Sequence, residues 1–516
     1  MAEGSPDAVW VGIDVGTQGV RALAVTATGH VAGRGTAPLT GRREGPRHEQ
    51  SPAGWWTAVT LATRAALAEV PPAAVRGVAV CSTSGTVLLT GPDGEPLTEG
   101  LMYDDGRAPD QARAAQDAGA ELWDRLGLRI QPSWALAKVL WLARERPAAL
   151  DLGHARIAHQ ADFIVARLTG APAATDSSHA LKTGYDLQSE TWPCEVHERL
   201  GLPASLFPEV VRPGTVLGKV GAGAAEATGL PQGIPVVAGM TDGCAAQLGS
   251  GALRLGHWNS VLGTTLVLKG VTATPIRDPA GVMYSHRAPD CAWLPGGASS
   301  VGAGVLSGDL PRLDELASHH EPSGALAYPL VSPGERFPFL APQAEGFLLG
   351  TPSGEGDRHA AYLQGIALIE RLALAYVRQL GAVVEGPITF TGGATRSAYW
   401  NRLRADILGR EARVPEHADA ALGMAVLAAY GTDWDGTSRN GTSRNGTSGN
   451  GSSGAGTSGD GTLADVAESM VRVRTVIEPR PGGMERFTEP FHRLLDELEQ
   501  RGWLPSEVAA YAREHG

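Results

Sequence analysis

The residue types that could do chemistry in this chain first occur together near its beginning. Asp14 ends an apolar run and is followed by Gly16, Thr17 and Gln18 in a glycine-rich turn. Glycines let the backbone approach a phosphate, and a carboxylate beside them can face a hydrated Mg²⁺. The pattern predicts a cofactor site for Mg²⁺ and a nucleotide phosphate, with Asp14 as the metal ligand. A glycine-rich hairpin that is only structural gives the same pattern.

Two further glycine loops lie in the second half of the chain. The first follows an apolar run and offers amide and hydroxyl donors, which suit a phosphate but also an ordinary β-turn. The second ends a buried-strand pattern and leads into a helix, which suits a nucleotide. Both are predicted to bind ATP. Their residues are Gly263, Thr264, Thr265, Gly392, Gly393 and Ala394.

A second acidic residue, Asp242, follows an apolar run and is flanked by small residues in Gly-Met-Thr-Asp-Gly. A carboxylate there can accept a hydrogen bond from a substrate hydroxyl, fix its line of attack and take up its proton. An aspartate before Gly-Cys-Ala-Ala is also good helix N-capping chemistry. Both interpretations, catalytic base and N-cap, stay open on local sequence.

An acidic and basic cluster near residue 105 could recognise a polyhydroxylated ligand. Asp105 and Arg107 follow Tyr103 and Asp104, and paired acids and guanidinium groups make bidentate hydrogen bonds. A solvated surface charge cluster is the alternative. A separate motif, Glu-Gln-Ser-Pro at 49–52, precedes a tryptophan pair at 55–56. We interpret these tryptophans as core residues rather than as a surface on which a sugar stacks.

Strand and helix patterns alternate along the chain, which predicts an α/β fold. A hairpin is expected over 9–26 with its tip at 14–19, a strand over 75–80 and helices over 55–69 and 110–125. The strand and glycine-tip pattern returns near 259–268, so a duplicated ATPase is indicated. We divide the chain into an N-terminal domain (1–250) and a C-terminal domain (251–516), the latter with a disordered Gly/Ser/Thr/Asn-rich insertion at about 431–462.

Size and charge restrict the class of protein. A chain of 516 residues exceeds the usual size of one core, so two large domains with a cleft between them are expected. A net charge of −12 offers no field for nucleic acid, and no apolar run approaches the ~20 residues that cross a bilayer. The four cysteines are scattered along the chain, so we expect neither a disulfide framework nor a zinc site. We expect a cytoplasmic protein without nucleic-acid or membrane partners, and a homodimer is left open.

Taken together, these motifs resemble the FGGY carbohydrate kinases, the family of xylulokinase, ribulokinase, gluconokinase and glycerol kinase. The resemblance runs nearly end to end, and its ordered series is more specific than any single motif. The matching stretches are Gly-Ile-Asp-Val-Gly-Thr at 12–17, Glu-Gln-Ser-Pro at 49–52, Asp-Asp-Gly-Arg at 104–107, Gly-Met-Thr-Asp at 239–242, Leu-Gly-Thr-Thr at 262–265, Thr-Gly-Gly-Ala at 391–394 and Ala-Asp-Ile-Leu-Gly at 405–409.

The resemblance implies two ribonuclease-H-like domains of the actin, hexokinase and Hsp70 type, closing on ATP and sugar. It implies that Asp14 holds Mg²⁺, that Thr17 and residues 263–265 hold phosphates, and that Gly393 and Ala394 border the adenosine. By the same analogy Asp242 is the catalytic base, while Asp105 and Arg107 lie near the sugar.

One departure from the family bears on the substrate. Familiar xylulokinases have Gly-Gln-Met-His-Gly where this chain has Cys-Ser-Thr-Ser-Gly at 81–85, so short hydroxyls, Ser82 and Ser84, replace the imidazole and amide. The string Thr-Ser-Gly-Thr-Val-Leu-Leu is similar to a plant and cyanobacterial subgroup whose proposed substrate is D-ribulose. We therefore expect an ATP-dependent ketopentose kinase, with D-ribulose first and D-xylulose second. The alternative from another class is a sugar-sensing regulator without catalysis.

Overall fold

The computed structural model describes residues 7–146, 154–432 and 462–516, and the chain divides into two compact units. The described residues 419–432 and 462–472 fall in the first unit, whereas the division at 250/251 placed them in the second domain. The insertion predicted at about 431–462 lies outside the described residues except at its ends. The first unit comprises Met1–Gly249, Arg287–Cys291 and Asp419–Arg472; the second comprises Ser250–His286, Ala292–Ala418 and Val473–Gly516.

The first unit, over its described residues, is built on a six-stranded sheet. In spatial order its strands are Val216–Lys219, Pro235–Val237, Val75–Ser82, Val9–Val15, Gly19–Thr26 and Val31–Pro38. Val9–Val15 and Gly19–Thr26 form the predicted antiparallel hairpin. The middle strands Pro235–Val237, Val75–Ser82 and Val9–Val15 run parallel, so their carboxyl ends lie at one edge of the sheet.

Helices cover both faces of this sheet. The side chains of Val11 and Ile13 pack with the helix Pro52–Leu67 in one buried core. Gly12 points to the opposite face, where a Cβ would lie 1.8 Å from the backbone oxygen of Ala421. Successive residues of a strand face opposite sides. A glycine is therefore required at position 12, because the helix Ala420–Gly431 lies directly against the strand.

The remaining elements of the first unit surround this sheet. Smaller sheets are formed by Arg42–Glu44, Arg47–Gln50, Gly100–Leu101, Val87–Thr90 and Arg156–His159, and by Thr175–Asp176 with Val210–Val211. The other helices are Pro109–Ala118, Ala120–Leu126, Ala135–Glu145, Gln160–Thr169, Ser177–Ala180, Cys194–Arg199, Ala222–Thr228, Asp242–Ser250 and Leu463–Met470. The single helix predicted over 110–125 is thus two helices, because the backbone breaks at Gly119.

The second unit repeats the strand pattern of the first, over its described residues. Its seven-stranded sheet has, in spatial order, Met283–Arg287, Trp293–Ala298, Leu266–Gly270, Trp258–Leu262, Ile388–Thr391, Ala412–Pro415 and Val473–Ile477. Again a hairpin, Trp258–Leu262 with Leu266–Gly270, pairs in parallel with the next strand inward. The two sheets therefore share an antiparallel hairpin whose first strand pairs in parallel with the next one, as the predicted duplication requires. A short two-stranded sheet joins Leu326–Tyr328 and Phe347–Leu349.

One long helix, Glu355–Gln379, forms the centre of the second unit's core. It has the length and apolarity to cross a membrane, but 94% of its most apolar stretch is buried within this structure, so it is a core helix. From it Glu370 pairs with the fully buried Arg404 at 2.8 Å, and the Arg404 guanidinium also covers the ring of Phe390 at 3.7 Å. The other helices are Leu310–Ala317, Ala398–Leu408, Gly483–Arg486, Thr488–Gln500 and Ser506–His515.

Candidate active site

The parallel strands of the first unit bring the predicted carboxylates to one edge of the sheet. Asp14 pairs in register with Cys81, and Ser82 forms a parallel bridge with Thr241, the residue before Asp242. Asp14, Ser82 and Asp242 therefore follow three neighbouring strands at the same end. More than 200 residues separate the two aspartates in sequence, and strand pairing is what unites them.

Asp14 is buried and electrostatically strained. Its side chain accepts a hydrogen bond from Arg21 Nη1 at 3.3 Å and from Cys81 Sγ at 3.6 Å. Burial, and next the charge of Asp242, raise the pKa of Asp14 from 3.8 to about 6, although Arg21 opposes the change. A buried carboxylate whose ionisation is disfavoured by a second carboxylate is suited to a divalent cation, which would relieve the repulsion.

The structure places Asp242 at the N-terminus of a helix. It is the first residue of the helix Asp242–Ser250, and its Oδ1 accepts a hydrogen bond from the Gly243 backbone at 2.7 Å. The residue is half-buried rather than sealed in the core. A carboxylate with one oxygen fixed by the backbone and partial exposure is held in place and accessible. Its role as catalytic base stays a prediction.

The first phosphate loop, residues 14–19, is held by the Glu-Gln-Ser-Pro motif. Gln50 Nε2 donates to the backbone oxygen of Thr17 at 2.7 Å, and Trp55 Nε1 donates to Gln50 Oε1 at 2.8 Å. Trp55 is fully buried, as the core interpretation predicts. Gly16 N donates to Gly19 O at 3.1 Å and closes the turn. The backbone at Gly16, Thr17 and Gln18 is consequently fixed but partly exposed.

Ser82 is held by a buried histidine and aspartate that the sequence analysis missed. Ser82 Oγ lies 2.9 Å from His179 Nε2 and accepts from the Ala161 backbone at 3.1 Å. His179 Nδ1 lies 2.6 Å from Asp176 Oδ2. Burial alone would lower the pKa of His179, but the charge and hydrogen bond of Asp176 raise it to about 9.

The same short helix also fixes the residue before Asp242. Ser178 Oγ lies 3.0 Å from Thr241 Oγ1 and accepts from the Thr241 backbone at 3.2 Å. Ser177–Ala180 thus connects the ends of two of the three parallel strands. Nothing in its four residues signals this role, because each partner is at least 60 residues away in sequence.

The predicted sugar-binding residues form two groups, Ser82 with Ser84 and Asp105 with Arg107. Ser84 Oγ is buried and has no hydrogen-bond partner among the described residues, which suits a ligand hydroxyl. Ser82 is fully buried by its own neighbours. Contacts of either serine with a sugar stay predictions.

Asp105 and Arg107 form a buried ion pair rather than an open charge cluster. Asp105 is fully buried; its Oδ2 accepts from His48 N at 2.6 Å and from Arg107 Nη2 at 2.6 Å. Arg107 also pairs with Glu49 at 2.7 Å and stacks on Trp141 at 4.7 Å. The solvated-surface alternative is wrong for this pair. Its hydrogen bonds indicate that the pair holds the surrounding backbone in place. Direct contact of either residue with a sugar stays a prediction.

In the second unit the two predicted glycine loops are neighbours. Val261 pairs in register with Thr391, so both loops leave the sheet at the same end. Gly392 adopts φ +87°, and a Cβ there would lie 2.5 Å from Leu262 O. Only glycine allows this close approach. Gly263 and Gly393 face open space, whereas Ala394 is buried.

A cavity of about 530 Å³ lies in the second unit and is connected to the loop at 263–265 through a neighbouring turn. It is lined in part by Val305 and Leu306, which follow the turn at residues 302–304. That turn packs on the second phosphate loop: Ala303 N donates to Gly263 O at 2.9 Å, and Gly304 N donates to Thr264 O at 3.1 Å. Tyr362 and Pro352 contribute further apolar surface. The cavity has the size and lining of a small-molecule site.

Comparisons with known proteins agree with this geometry. The family model for the N-terminal domain of the FGGY family of carbohydrate kinases matches residues 9–249, and the model for the C-terminal domain matches residues 258–432. A xylulose kinase of Streptomyces rubiginosus is 34% identical over 439 residues, 81% of this chain and 87% of that protein. A gluconokinase of Bacillus subtilis is 25% identical over 454 residues, which cover 82% of this chain and 88% of that protein.

Solved structures confirm the predicted superfold. A xylulose kinase from Rhodospirillum rubrum matches with a TM-score of 0.80 at 24% identity, covering 95% of this chain and 99% of that one. A glycerol kinase from Plasmodium falciparum, solved with ADP, matches at 0.78 with 16% identity, covering 95% and 98%. Because both halves of the family model match in order, this chain belongs to the FGGY family of carbohydrate kinases.

Proposed function

We propose that this kinase transfers the γ-phosphate of MgATP to a hydroxyl of a ketopentose, with Asp242 as the base. The observation that supports this most strongly is that Asp242 repels the charge of the buried Asp14, both lying at the carboxyl end of the same three parallel strands. A metal-binding carboxylate and a base are both needed for phosphoryl transfer. The first unit supplies them together with the first phosphate loop, and the second unit supplies two more glycine loops.

Each residue has a distinct part in the proposed reaction. Asp14 would hold hydrated Mg²⁺, which supplies charge neutralisation for the phosphates when bound. Gly16, Thr17 and residues 263–265 would donate hydrogen bonds to phosphate oxygens. Asp242 accepts the hydrogen bond of the sugar hydroxyl and orients it. As the new O–P bond forms and the bond to the β-phosphate breaks, the proton passes to Asp242 and ADP leaves.

The adenosine would lie beside Gly392, Gly393 and Ala394. The partly apolar cavity of about 530 Å³ supports an adenosine site in this unit, because the turn that leads into its lining packs on the loop at 263–265, and that loop neighbours the one at 392–394. Adenine is a flat apolar ring with polar edges, and such a lining suits it.

D-xylulose is the better supported substrate, because the relatives include several proteins named xylulose kinase. D-ribulose, our first expectation from sequence, becomes the second candidate. The observation in its favour is the Ser82 to Gly85 segment, where a hydroxyl held by His179 and an unpartnered Ser84 Oγ replace the imidazole and amide of familiar xylulokinases.

A coupled assay of ADP release with purified protein and MgATP tests both the kinase proposal and the choice of substrate. We expect turnover to depend on sugar and kcat/KM to be highest with D-xylulose among D-xylulose, D-ribulose, glycerol, gluconate and a ketohexose. A preference for D-ribulose would favour the second candidate. Nucleotide binding without turnover on any member of the panel would contradict the kinase proposal and favour a sugar-sensing regulator.

A further inference from the structure

A second cavity, of about 570 Å³, lies in the second unit away from the glycine loops. Arg371 and Arg378 reach it from the last turns of the helix Glu355–Gln379, and Arg410 follows the helix Ala398–Leu408. Gly386, which precedes the strand Ile388–Thr391, also lines it. The glycine loop at 392–394 follows the other end of that strand. The cavity is therefore at the opposite edge of the sheet from the proposed nucleotide site.

The cavity is strongly cationic. Burial, and then the charge of Arg410, lower the pKa of Arg378. Burial also lowers the pKa of Arg371 to about 10; Glu485 opposes this and Arg378 adds to it. The three guanidinium groups are thus close enough to repel one another, an arrangement that an anion would stabilise.

These arginines donate hydrogen bonds to main-chain oxygens. Arg371 Nη2 donates to an oxygen of the terminal carboxyl group of Gly516 at 3.0 Å, Arg378 Nη1 to His515 O at 3.1 Å, and Arg410 Nη1 to Gly386 O at 3.3 Å. Among the described residues, none of the three forms an ion pair with an Asp or Glu side chain within 4 Å. The one acidic side chain that lines the cavity, Glu411, is paired with Arg413 at 2.7 Å instead.

Arg371 has donors without a partner. The residue is 5% exposed, and its buried Nε and Nη1 make no hydrogen bond in the described structure. Its guanidinium stacks on Phe491 at 4.4 Å, which fixes its plane without satisfying these two N–H groups. Buried polar groups in native proteins nearly always have partners, and a charged N–H donor without one is suited to the oxygen of an anion.

We propose that this cavity binds a small molecule with a phosphate group, at a site separate from the reaction. Three guanidinium groups suit a ligand that has a phosphate dianion better than a ligand that has a single carboxylate. Leu374, Leu408 and Met484 provide apolar surface for a carbon skeleton, and the volume is typical of small-molecule sites. The ligand is either inorganic phosphate or a phosphate ester, and the two share the chemistry recognised here.

Isothermal titration of the full chain with inorganic phosphate, ribose 5-phosphate and ribose tests this proposal, with saturating MgADP present throughout to occupy the nucleotide loops. We expect the two phosphate compounds to bind and ribose to give no signal from this site. Tighter binding of ribose 5-phosphate would identify an ester as the ligand, and equal binding would identify the phosphate group alone. Absence of binding by either phosphate compound would overturn the proposal.

Variants assign the binding to the cavity. Arg378 and Arg410 are half-buried, so the double variant Arg378→Gln/Arg410→Gln keeps the fully buried Arg371 and should fold. We expect it to weaken phosphate binding about tenfold or more, since hydrogen bonds to charged groups contribute roughly 1.5–3 kcal/mol each. The matched control is Arg129→Gln on the surface of the first unit, which should bind as the parent does.

A second measurement does not depend on the variants. Crystals of the parent chain soaked in tungstate should show an anomalous peak beside the Arg371 guanidinium. Unchanged affinity in the double variant, or tungstate found only at the glycine loops, would contradict a site in this cavity. Binding that is lost in Asp242→Asn but retained in the double variant would assign the signal to the active site and equally overturn the proposal.

Discussion

Replacing Asp14 by asparagine should remove activity and at the same time stabilise the protein without bound metal. Burial and the charge of Asp242 raise the pKa of Asp14 from 3.8 to about 6. That difference corresponds to about 3 kcal/mol of unfavourable free energy in the ionised native state. Asp14→Asn keeps the shape and removes the charge. It also loses the contact with Arg21, whose side chain is 61% exposed and contributes little.

The sign of the effect depends on pH. An unfolded Asp14 ionises near 3.8 and the native one near 6, so its contribution to stability is greatest below 3.8 and is lost as the pH rises through about 6. The variant should therefore resemble the parent near pH 4 and exceed it by about 1–3 kcal/mol near pH 8. At about 2 °C per kcal/mol, the melting temperature should rise by about 2–6 °C.

Circular dichroism melts of parent and variant from about pH 4 to pH 8, without and with Mg²⁺, measure this directly. Magnesium should stabilise the parent and leave the variant unchanged. Asp117→Asn, which changes an exposed carboxylate, is the matched control and should show no pH-dependent gap. A variant less stable than the parent at every pH would refute the reasoning that Asp242 and burial strain Asp14.

Three further substitutions test the fold and the support of the site. Gly12→Ala should destabilise the first unit by about 1–3 kcal/mol in thermal melts, because the added methyl group meets a facing helix backbone. Glu370→Gln should cost about 3–5 kcal/mol in the same assay, since it leaves Arg404 buried without its counter-charge. His179→Asn should raise the sugar KM about tenfold and leave nucleotide affinity unchanged, because Ser82 loses one hydrogen bond.

Matched controls separate these mechanisms from general effects of mutation. Gly223→Ala adds a methyl group where no atom lies within 4 Å. Glu355→Gln breaks an exposed ion pair with Arg312, so little change in melting temperature is expected. His417→Asn changes a surface histidine. A melting temperature that falls as far in a control as in its partner variant, or a KM that rises as far, would contradict the corresponding argument.

The sequence predicts the parts of the site that follow strands. Asp14 and Asp242 end apolar runs beside glycines, and parallel pairing brings such positions to one edge of a sheet. The same reasoning places residues 263–265 next to residues 392–394. Strand periodicity and glycine loops are local signals, and for that reason they can be read without a structure.

Features that depend on distant contacts could not be predicted in the same way. His179 and Asp176 lie in a segment without periodicity, and the histidine meets Ser82 across 97 residues. At the break between the two helices, Gly119 leaves room for the Trp123 ring, which would lie 2.5 Å from an added Cβ. The helix Ala420–Gly431 is apolar on all sides, so no pattern indicated that it packs in the first unit.

Steady-state kinetics of Asp242→Asn with MgATP and D-xylulose or D-ribulose test the central claim most directly. Loss of a general base lowers turnover by about 10²–10⁴-fold, and we expect that loss while MgADP binding is unchanged. Turnover close to that of the parent chain would contradict the assignment of Asp242 as the group that accepts the sugar proton.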